Sequence, residues 1–246
     1  MDAVRGNIAI AGLPLTGTFL AGRFREGIDP SDLRLLEDAV ETLEQRPDGS
    51  ALVSAGKDTR TIMFLVEGFA FQTVHHAERR FIVGISVPGD FLNLPGLALG
   101  RTDHGVNAAG TVRVGLIKRE KLQALIDERP GLARAFWLAT LLDGSVHRKW
   151  IQNLERLDAP NRIAHHYAEL QTRLELAGRH VSRVLRTPFT QVDLADMCGV
   201  SAIHANRAVG KLRELGIGEI RRGDLFTEDW SRLKEYAGFD PSYLFV

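Results

Sequence analysis

Residues Thr190–Gly223, TQVDLADMCGVSAIHANRAVGKLRELGIGEIRRG, constrain the fold of this chain more than any other stretch. Their order is a short helix, a tight turn, a longer amphipathic helix and a small two-stranded wing. Thr190 stands where its hydroxyl can accept an orphan backbone N–H at a helix start. Asp193, three residues on, brings the negative charge that such an end favours. Leu194, Ala195 and Met197 give this helix an inward side. Gly199 falls where a helix ends in a left-handed residue, a conformation glycine enters without strain. Ser201 can cap the second helix, along which Ala205, Ala208, Val209, Leu212 and Leu215 recur at helical spacing and are expected to face inward. Gly216 should end it, with Ile217–Arg221 a strand, Arg222-Gly223 the wing turn and Leu225-Phe226 the return.

The outward face of the second helix carries Ile203, Arg207, Gly210 and Glu214, with Asn206 and Lys211 on its shoulders. The N-terminal half of such a helix fits the major groove of DNA, where arginine reaches the O6 and N7 acceptors of guanine. Arg207 is therefore the expected main base reader. Asn206, His204, Ile203 and Ala202 are secondary candidates, and Ser201, Gln191 and Lys211 suit phosphate contact. The competing reading is two packed helices with solvated Arg and Lys outside. The wing, the small residues at the turn and the place of Arg207 favour the DNA reader.

The segment resembles the DNA-binding module of the Crp–Fnr family of bacterial regulators, whose members often read TQxDLAxxxGxSxxHxNRxxxxLRxxGxI. The resemblance reaches over nearly the whole chain, through FLVEGFAFQTV, RRFIVGISVPGDFLNL and the terminal DW and GFDPSYL. It implies an α+β fold: an N-terminal antiparallel β-roll of the cyclic-nucleotide-binding type, a long dimerisation helix and a C-terminal winged helix-turn-helix. The corresponding domains are expected at 1–130, 131–157 and 158–246. The implied function is sequence-specific transcription regulation by a homodimer on a palindromic double-stranded DNA operator, with RNA polymerase a further partner if the protein activates. One departure matters. The best-known members carry Arg-Glu early in the reading helix, where this chain has Ala202-Ile203.

The 246 residues suffice for one large or two modest domains with their own cores, and 44% hydrophobic against 25% charged residues is a globular composition. No run of 18 apolar residues occurs, and the N-terminus is too weak for a secretory signal, so a cytoplasmic protein without a membrane span is expected. The single Cys198 rules out an internal disulfide and a cysteine-ligated iron–sulfur cluster. Its place in the turn reads as a small buried side chain. Net charge is zero, yet 161–223 holds ten Lys/Arg against six Asp/Glu, and it is local charge that meets phosphate.

Ser31–Leu43 reads as a capped helix with Leu36, Val40 and Leu43 on one face. From about Ser50 to Lys118 the period is two. Phe64 and Val66, Phe69 and Phe71, Phe81 to Val87, and Val112 to Leu116 alternate between glycine-marked turns, as in a small antiparallel barrel or sandwich. Arg119–Glu128 is a short helix stopped by Pro130. A longer helix runs from about Gly131 to Arg156, with Leu132, Phe136, Ala139, Leu142, Val146, Trp150, Asn153/Leu154 and Leu157 at steps of three and four. That stripe is expected to pack on a partner as in a coiled coil, ordinary packing on its own roll being the alternative. Asp158 and Pro160 then open a further helix, which makes 157–160 a natural hinge.

In the family, a Gly-Glu pair followed by Arg-Ser holds a cyclic nucleotide. Here Gly89-Asp90 echoes the first pair, while Thr102-Asp103 stands where Arg-Ser is expected and Arg101 is one residue out of place. An anionic Asp103 would repel a phosphate, so these five residues outline an expected pocket that disfavours cyclic AMP. The eight histidines include the adjacent pairs His75-His76 and His165-His166, whose neighbouring side chains do not converge on a metal and read as surface residues. Haem ligation through His75, His104 or His147 is the remaining alternative. Enzyme motifs fail: SAGKDT lacks the phosphate-loop Ser/Thr and first Gly, and GISVP lacks the second Gly of a nucleophile elbow. The chain is thus expected not to be an enzyme. The rival reading is a ligand-binding or interaction module whose helix-turn-helix no longer binds DNA.

Overall fold

The computed structural model describes residues 12–77 and 79–246. Helix α1 (Pro30–Ala39) leads into strands β1 (Thr42–Arg46), β2 (Ala51–Val53), β3 (Thr61–His76) and β4 (Arg79–Ser86). Helix α2 (Leu94–Leu99), strand β5 (Gly105–Lys118) and helices α3 (Arg119–Glu128) and α4 (Pro130–Arg156) follow. The C-terminal part is α5 (Ala159–Leu176), β6 (Val184–Leu185), α6 (Gln191–Cys198), α7 (Ala202–Glu214), β7 (Glu219–Arg221), β8 (Asp224–Phe226) and α8 (Trp230–Tyr236). This is the expected α+β architecture, an antiparallel sheet followed by long helices and a winged helix-turn-helix.

The first sheet is antiparallel throughout, in the order β1-β5-β3-β4 with β2 also on β5. Phe64/Val66 and Phe69/Phe71, whose alternation changes parity, lie on one strand rather than two. The register against β5 shifts between Leu65 and Phe69, where Gly68 takes φ +89°. The shift occurs in two steps, on either side of Glu67, and across them the apolar set moves from even to odd positions without leaving the buried side.

Two expectations are corrected. The helix foreseen over Ser31–Leu43 is capped by Asp29, whose carboxylate accepts from the Ser31 N–H, and it ends at Ala39. Leu43 belongs to β1 and is exposed, because Glu41 already bonds to Leu116 in sheet fashion. More consequentially, the stripe on α4 does not wait for a partner. Leu132, Phe136 and Leu142 are buried against α1, α3 and the sheet, and Val146 and Trp150 against β4 and α5. The alternative of packing on its own roll holds for these five. Left outside are Trp137 (66% exposed), Leu141, Ile151 (67%) and Leu154.

No boundary in packing separates the sheet from the C-terminal helices. One cluster runs from Phe69, Phe71, Ile82 and Ile85 through Val146 and Trp150 to Tyr167, Phe189, Leu212 and Leu233. Beside it lies Arg173 of α5, which is buried. Its Nη2 donates to Asp90 Oδ2 at 2.6 Å, and its Nη1 to the Ile85 carbonyl at 2.9 Å and to Glu169 Oε1 at 3.2 Å. Glu169, also buried, accepts from Trp150 Nε1 of α4 at 3.0 Å and from the Tyr243 hydroxyl at 2.7 Å. Burial works against the Arg173 charge, but Asp90 and Glu169 offset it and hold the pKa above the ordinary arginine value.

Removing one member of such a group strands the other charges in the core, which costs about 3–5 kcal/mol. Arg173→Met should therefore lower the unfolding free energy by that amount in urea titration. A loss below about 1 kcal/mol would contradict this account of the core.

Candidate nucleic-acid interface

The turn between α6 and α7 forms as the side chains dictate. Thr190 and Asp193 make a reciprocal capping box: the Asp193 N–H donates to Thr190 Oγ1 at 3.1 Å, and the Thr190 N–H to Asp193 Oδ2 at 2.8 Å. Gly199 ends α6 with φ +63°, and Ser201 Oγ accepts from the His204 N–H at 3.3 Å to start α7. Ala205, Ala208 and Leu212 are buried and Val209 is half-buried, as expected. Leu215 is not: it is the C-cap and lies 38% exposed, while Ile217 turns in and is buried before the strand begins at Glu219.

Ala202, Ile203, His204, Asn206, Arg207 and Lys211 are all exposed along α7. Gln191, at the start of α6, donates from Nε2 to Asn206 Oδ1 at 3.4 Å, so the two helices present one polar edge. Lys211 lies 4.0 Å from Glu214 and remains over half exposed. All eight sequence-named residues are thus exposed, Ser201 being used as a cap. The wing adds two arginines that the motif did not single out. Arg221 packs over the Phe226 ring and pairs with Glu219 at 2.5 Å, and Arg222 stands exposed at φ +52° in the turn. Gly223 cannot carry a side chain, since a Cβ there would lie 2.5 Å from the Thr187 carbonyl. Its own carbonyl accepts from Tyr167 Oη at 2.6 Å and Thr187 Oγ1 at 2.7 Å, which fixes the wing on α5.

What sequence reasoning missed is how the reader is seated. Arg80 of β4 reaches across to α6, with Asp193 Oδ1 at 2.5 Å and Asp196 Oδ2 at 2.8 Å. The capping carboxylate therefore also anchors the helix-turn-helix to the sheet. The run Glu78-Arg79-Arg80 beside a hairpin gave no sign of a distant partner.

The tentative ligand residues scatter. Gly89 and Asp90 line a cavity of about 70 Å³ with Arg23, Gln72, His104 and Arg173, well below the about 300–1,000 Å³ usual for small-molecule sites. Asp90 is engaged by Arg173 and by the Val87 N–H at 2.8 Å. Thr102 is buried and donates to the His104 carbonyl at 2.9 Å, and Arg101 is exposed. The Asp103 side chain is 93% exposed and pairs with His104, so it does not point at the cavity as the repulsion argument required. Among the described residues no group of three His, Cys, Asp or Glu could hold a metal ion, and no helix is long and apolar enough to cross a membrane.

A Crp-like helix-turn-helix domain is matched over residues 161–236. The nitrogen fixation regulation protein FixK of Bradyrhizobium diazoefficiens is 31% identical over 159 residues, 65% of this chain and 66% of that protein. The transcriptional activator protein FnrL of Cereibacter sphaeroides is 24% identical over 217 residues, 86% of each chain. The solved structure of FixK2 from Bradyrhizobium japonicum superposes with a TM-score of 0.70 at 21% identity, covering 79% of this chain and 96% of that one. The chain belongs to the Crp–Fnr family of helix-turn-helix transcription regulators. Both curated relatives are regulators by name and not enzymes, and the same holds here.

The histidine pair on α5 overturns the surface reading. His165 and His166 are both buried, His165 against Phe239 and Tyr243, His166 4.2 Å from the Trp150 ring. Burial, then nearby cations and the other ring, push His165 down to about 3; burial and Arg162 push His166 down to about 4. Burial likewise pushes the Cys198 thiol up to about 12, which leaves it inert at neutral pH. Both histidines are neutral in the fold while the unfolded chain protonates near pH 6.5. Between those values the unfolded state binds more protons, so stability is present above about pH 6.5 and is lost as pH falls toward about 4. Each contributes at most about 1.4 kcal/mol per pH unit. Urea midpoints measured from pH 7 to 4.5 should fall, and His165→Phe should flatten the slope by one residue's share. An unchanged slope would contradict this.

Proposed function

We propose that the protein is a homodimer that reads a two-fold symmetric double-stranded DNA operator through α7 of each copy. The observation that carries this reading is the exposed edge of Ala202, Ile203, His204, Asn206, Arg207 and Lys211, with Gln191 beside it and the wing arginines flanking. A two-fold site needs two readers about one helical turn apart. Arg207 reads a base, Asn206, His204, Ile203 and Ala202 tune the choice, and Gln191, Ser201 and Lys211 meet phosphate. Ala202-Ile203 leaves the early major-groove contacts short and apolar, so the operator departs from that of members with Arg-Glu there. By likeness to FnrL, named an activator, RNA polymerase contact belongs to the same reading, as does a cytoplasmic location.

Arg207→Ala should cost about 1–3 kcal/mol per half-site and relax preference at one base pair. Lys211→Ala should weaken all sequences alike and flatten the salt dependence. Selection of preferred sites from random DNA checks both: an operator preference unaltered by Arg207→Ala would sink this placement of the helix.

The pairing face is assigned to Trp137, Leu141, Gly144, Arg148 and Ile151. They follow one another at steps of four, three, four and three, the coiled-coil spacing, and the apolar ones are left exposed by the chain's own packing. This replaces the Leu142 and Val146 face. Trp137→Asp with Ile151→Asp should yield folded monomers in sedimentation, with operator affinity lost. Leu142→Asp with Val146→Asp should instead unfold the protein. A dimer persisting in the first double variant would overturn the assignment.

Cyclic AMP is not the signal in this reading. Asp90, which echoes the acid of the family's Gly-Glu pair, is turned to Arg173, and the space beside it is about 70 Å³. Isothermal titration should find no micromolar binding of cyclic AMP; binding that also tightened operator affinity would reverse this.

A further inference from the structure

A second cavity, of about 300 Å³, opens where β4, α4, α5 and α6 meet. Its volume is at the lower bound of ordinary small-molecule sites. The walls are mostly apolar: Phe81 and Val83 from β4, Trp150, Ile151 and Leu154 from α4, and Met197 from α6. Against this surface stand polar groups with nothing to bond. Asn153 is 3% exposed, and neither its amide nitrogen nor its amide oxygen has a partner among the described residues. His166 is 5% exposed with Nδ1 unpartnered, its ring being hydrogen-bonded to the Met197 backbone. Arg162 Nε is buried and unpartnered, while its Nη1 donates to the Cys198 carbonyl at 2.6 Å. The other polar side chains on the wall are already engaged, Asp196 by Arg80 and His147 by Gln72.

Folded proteins seldom leave buried amides unpaired, because each loses its water without gaining a partner. Here two donors, Asn153 Nδ2 and Arg162 Nε, and two acceptors, Asn153 Oδ1 and His166 Nδ1, belong to residues that line one apolar chamber. We propose that this chamber binds a small, ring-containing, uncharged molecule whose one amide-type group both donates and accepts. A planar amide edge matches the Asn153 amide in reciprocal fashion, and its ring body covers Trp150, Val83 and Met197. A carboxylate would gain Arg162 but would also face the two acceptors and the Asp196 charge, and a plain hydrocarbon would leave all four groups bare. The walls come from the sheet, the long helix and both sides of the junction to the reader, so an occupant touches every element that seats α6. The mouth, at Ile151 and Leu154, shares Ile151 with the proposed pairing face.

The test uses the full chain labelled with methyl-¹³C methionine, which places one reporter, Met197, on the cavity wall and another, Met63, in the sheet away from it. 2-Naphthamide is titrated in parallel with 2-methylnaphthalene. The expected result is a shift of the Met197 methyl alone, with the amide binding at least tenfold more tightly than the hydrocarbon. Asn153→Leu should abolish that preference while the hydrocarbon still binds. Val83→Phe, which fills the chamber from the strand side, should abolish both and serves if Asn153→Leu fails to fold. A silent Met197, equal binding of the two probes to the unaltered protein, or a preference that survives Asn153→Leu would overturn the proposal. So would a Met197 signal that moves on dilution and ignores 2-naphthamide, since a second copy would then fill the space. No DNA enters the measurement, so its failure leaves the operator reading untouched.

Discussion

A single buried guanidinium sets how the parts of this molecule stand to one another. Arg173 belongs by sequence to the C-terminal helices, yet its hydrogen bonds end on Asp90 and the Ile85 carbonyl of the sheet region and on Glu169 of its own helix. Glu169 in turn ties Trp150 of the long helix and Tyr243 near the C-terminus. An arginine can do this where a lysine cannot, because its planar fork donates in several fixed directions at once. Each of the four chain regions it joins would leave a charge or a polar group stranded if it moved away alone.

The seating of the reader follows from that junction. With α5 fixed on the sheet, α6 lies against β4, and Arg80 closes the contact on the two aspartates of α6. The capping box at Thr190 and the anchor at Arg80 share the Asp193 carboxylate, so the local start of the helix and its tertiary position are set by one side chain. The outward edge of α7 then stays free of the body while its inner residues complete the core. The same junction engages the Asp90 carboxylate on the wall of the small cavity beside Gly89 and leaves the larger chamber behind α6.

Local rules were readable in the residues wherever a segment answers to its own neighbours. Thr190, Gly199, Ser201 and Gly223 did what capping and left-handed turns require, and α3 and α4 run where proline and apolar spacing put them. The readings that failed needed knowledge of a distant partner. Spacing alone showed that α4 had an apolar stripe, but not that the sheet and α5 would claim Leu142 and Val146 and leave Trp137 and Ile151 outside. A helical histidine pair looks solvated until Tyr243, more than seventy residues on, is known to stack on it. Asp103 was judged by position in a motif, and the loop turned it to solvent. Which residues of α7 are exposed follows from helical spacing, which periodicity does carry, so the burial of this helix was readable apart from Leu215.

The central claim is that sheet and reader form one cooperative body through the buried junction. Native-state hydrogen exchange tests it most directly, by comparing the slowest amides of β4, such as Ile82 and Ile85, with those of α5 and α7, such as Leu170 and Leu212. The account predicts one shared opening free energy for both sets in the unaltered protein. Exchange of the α5 and α7 amides through an opening several kcal/mol cheaper than that of β4 would contradict it.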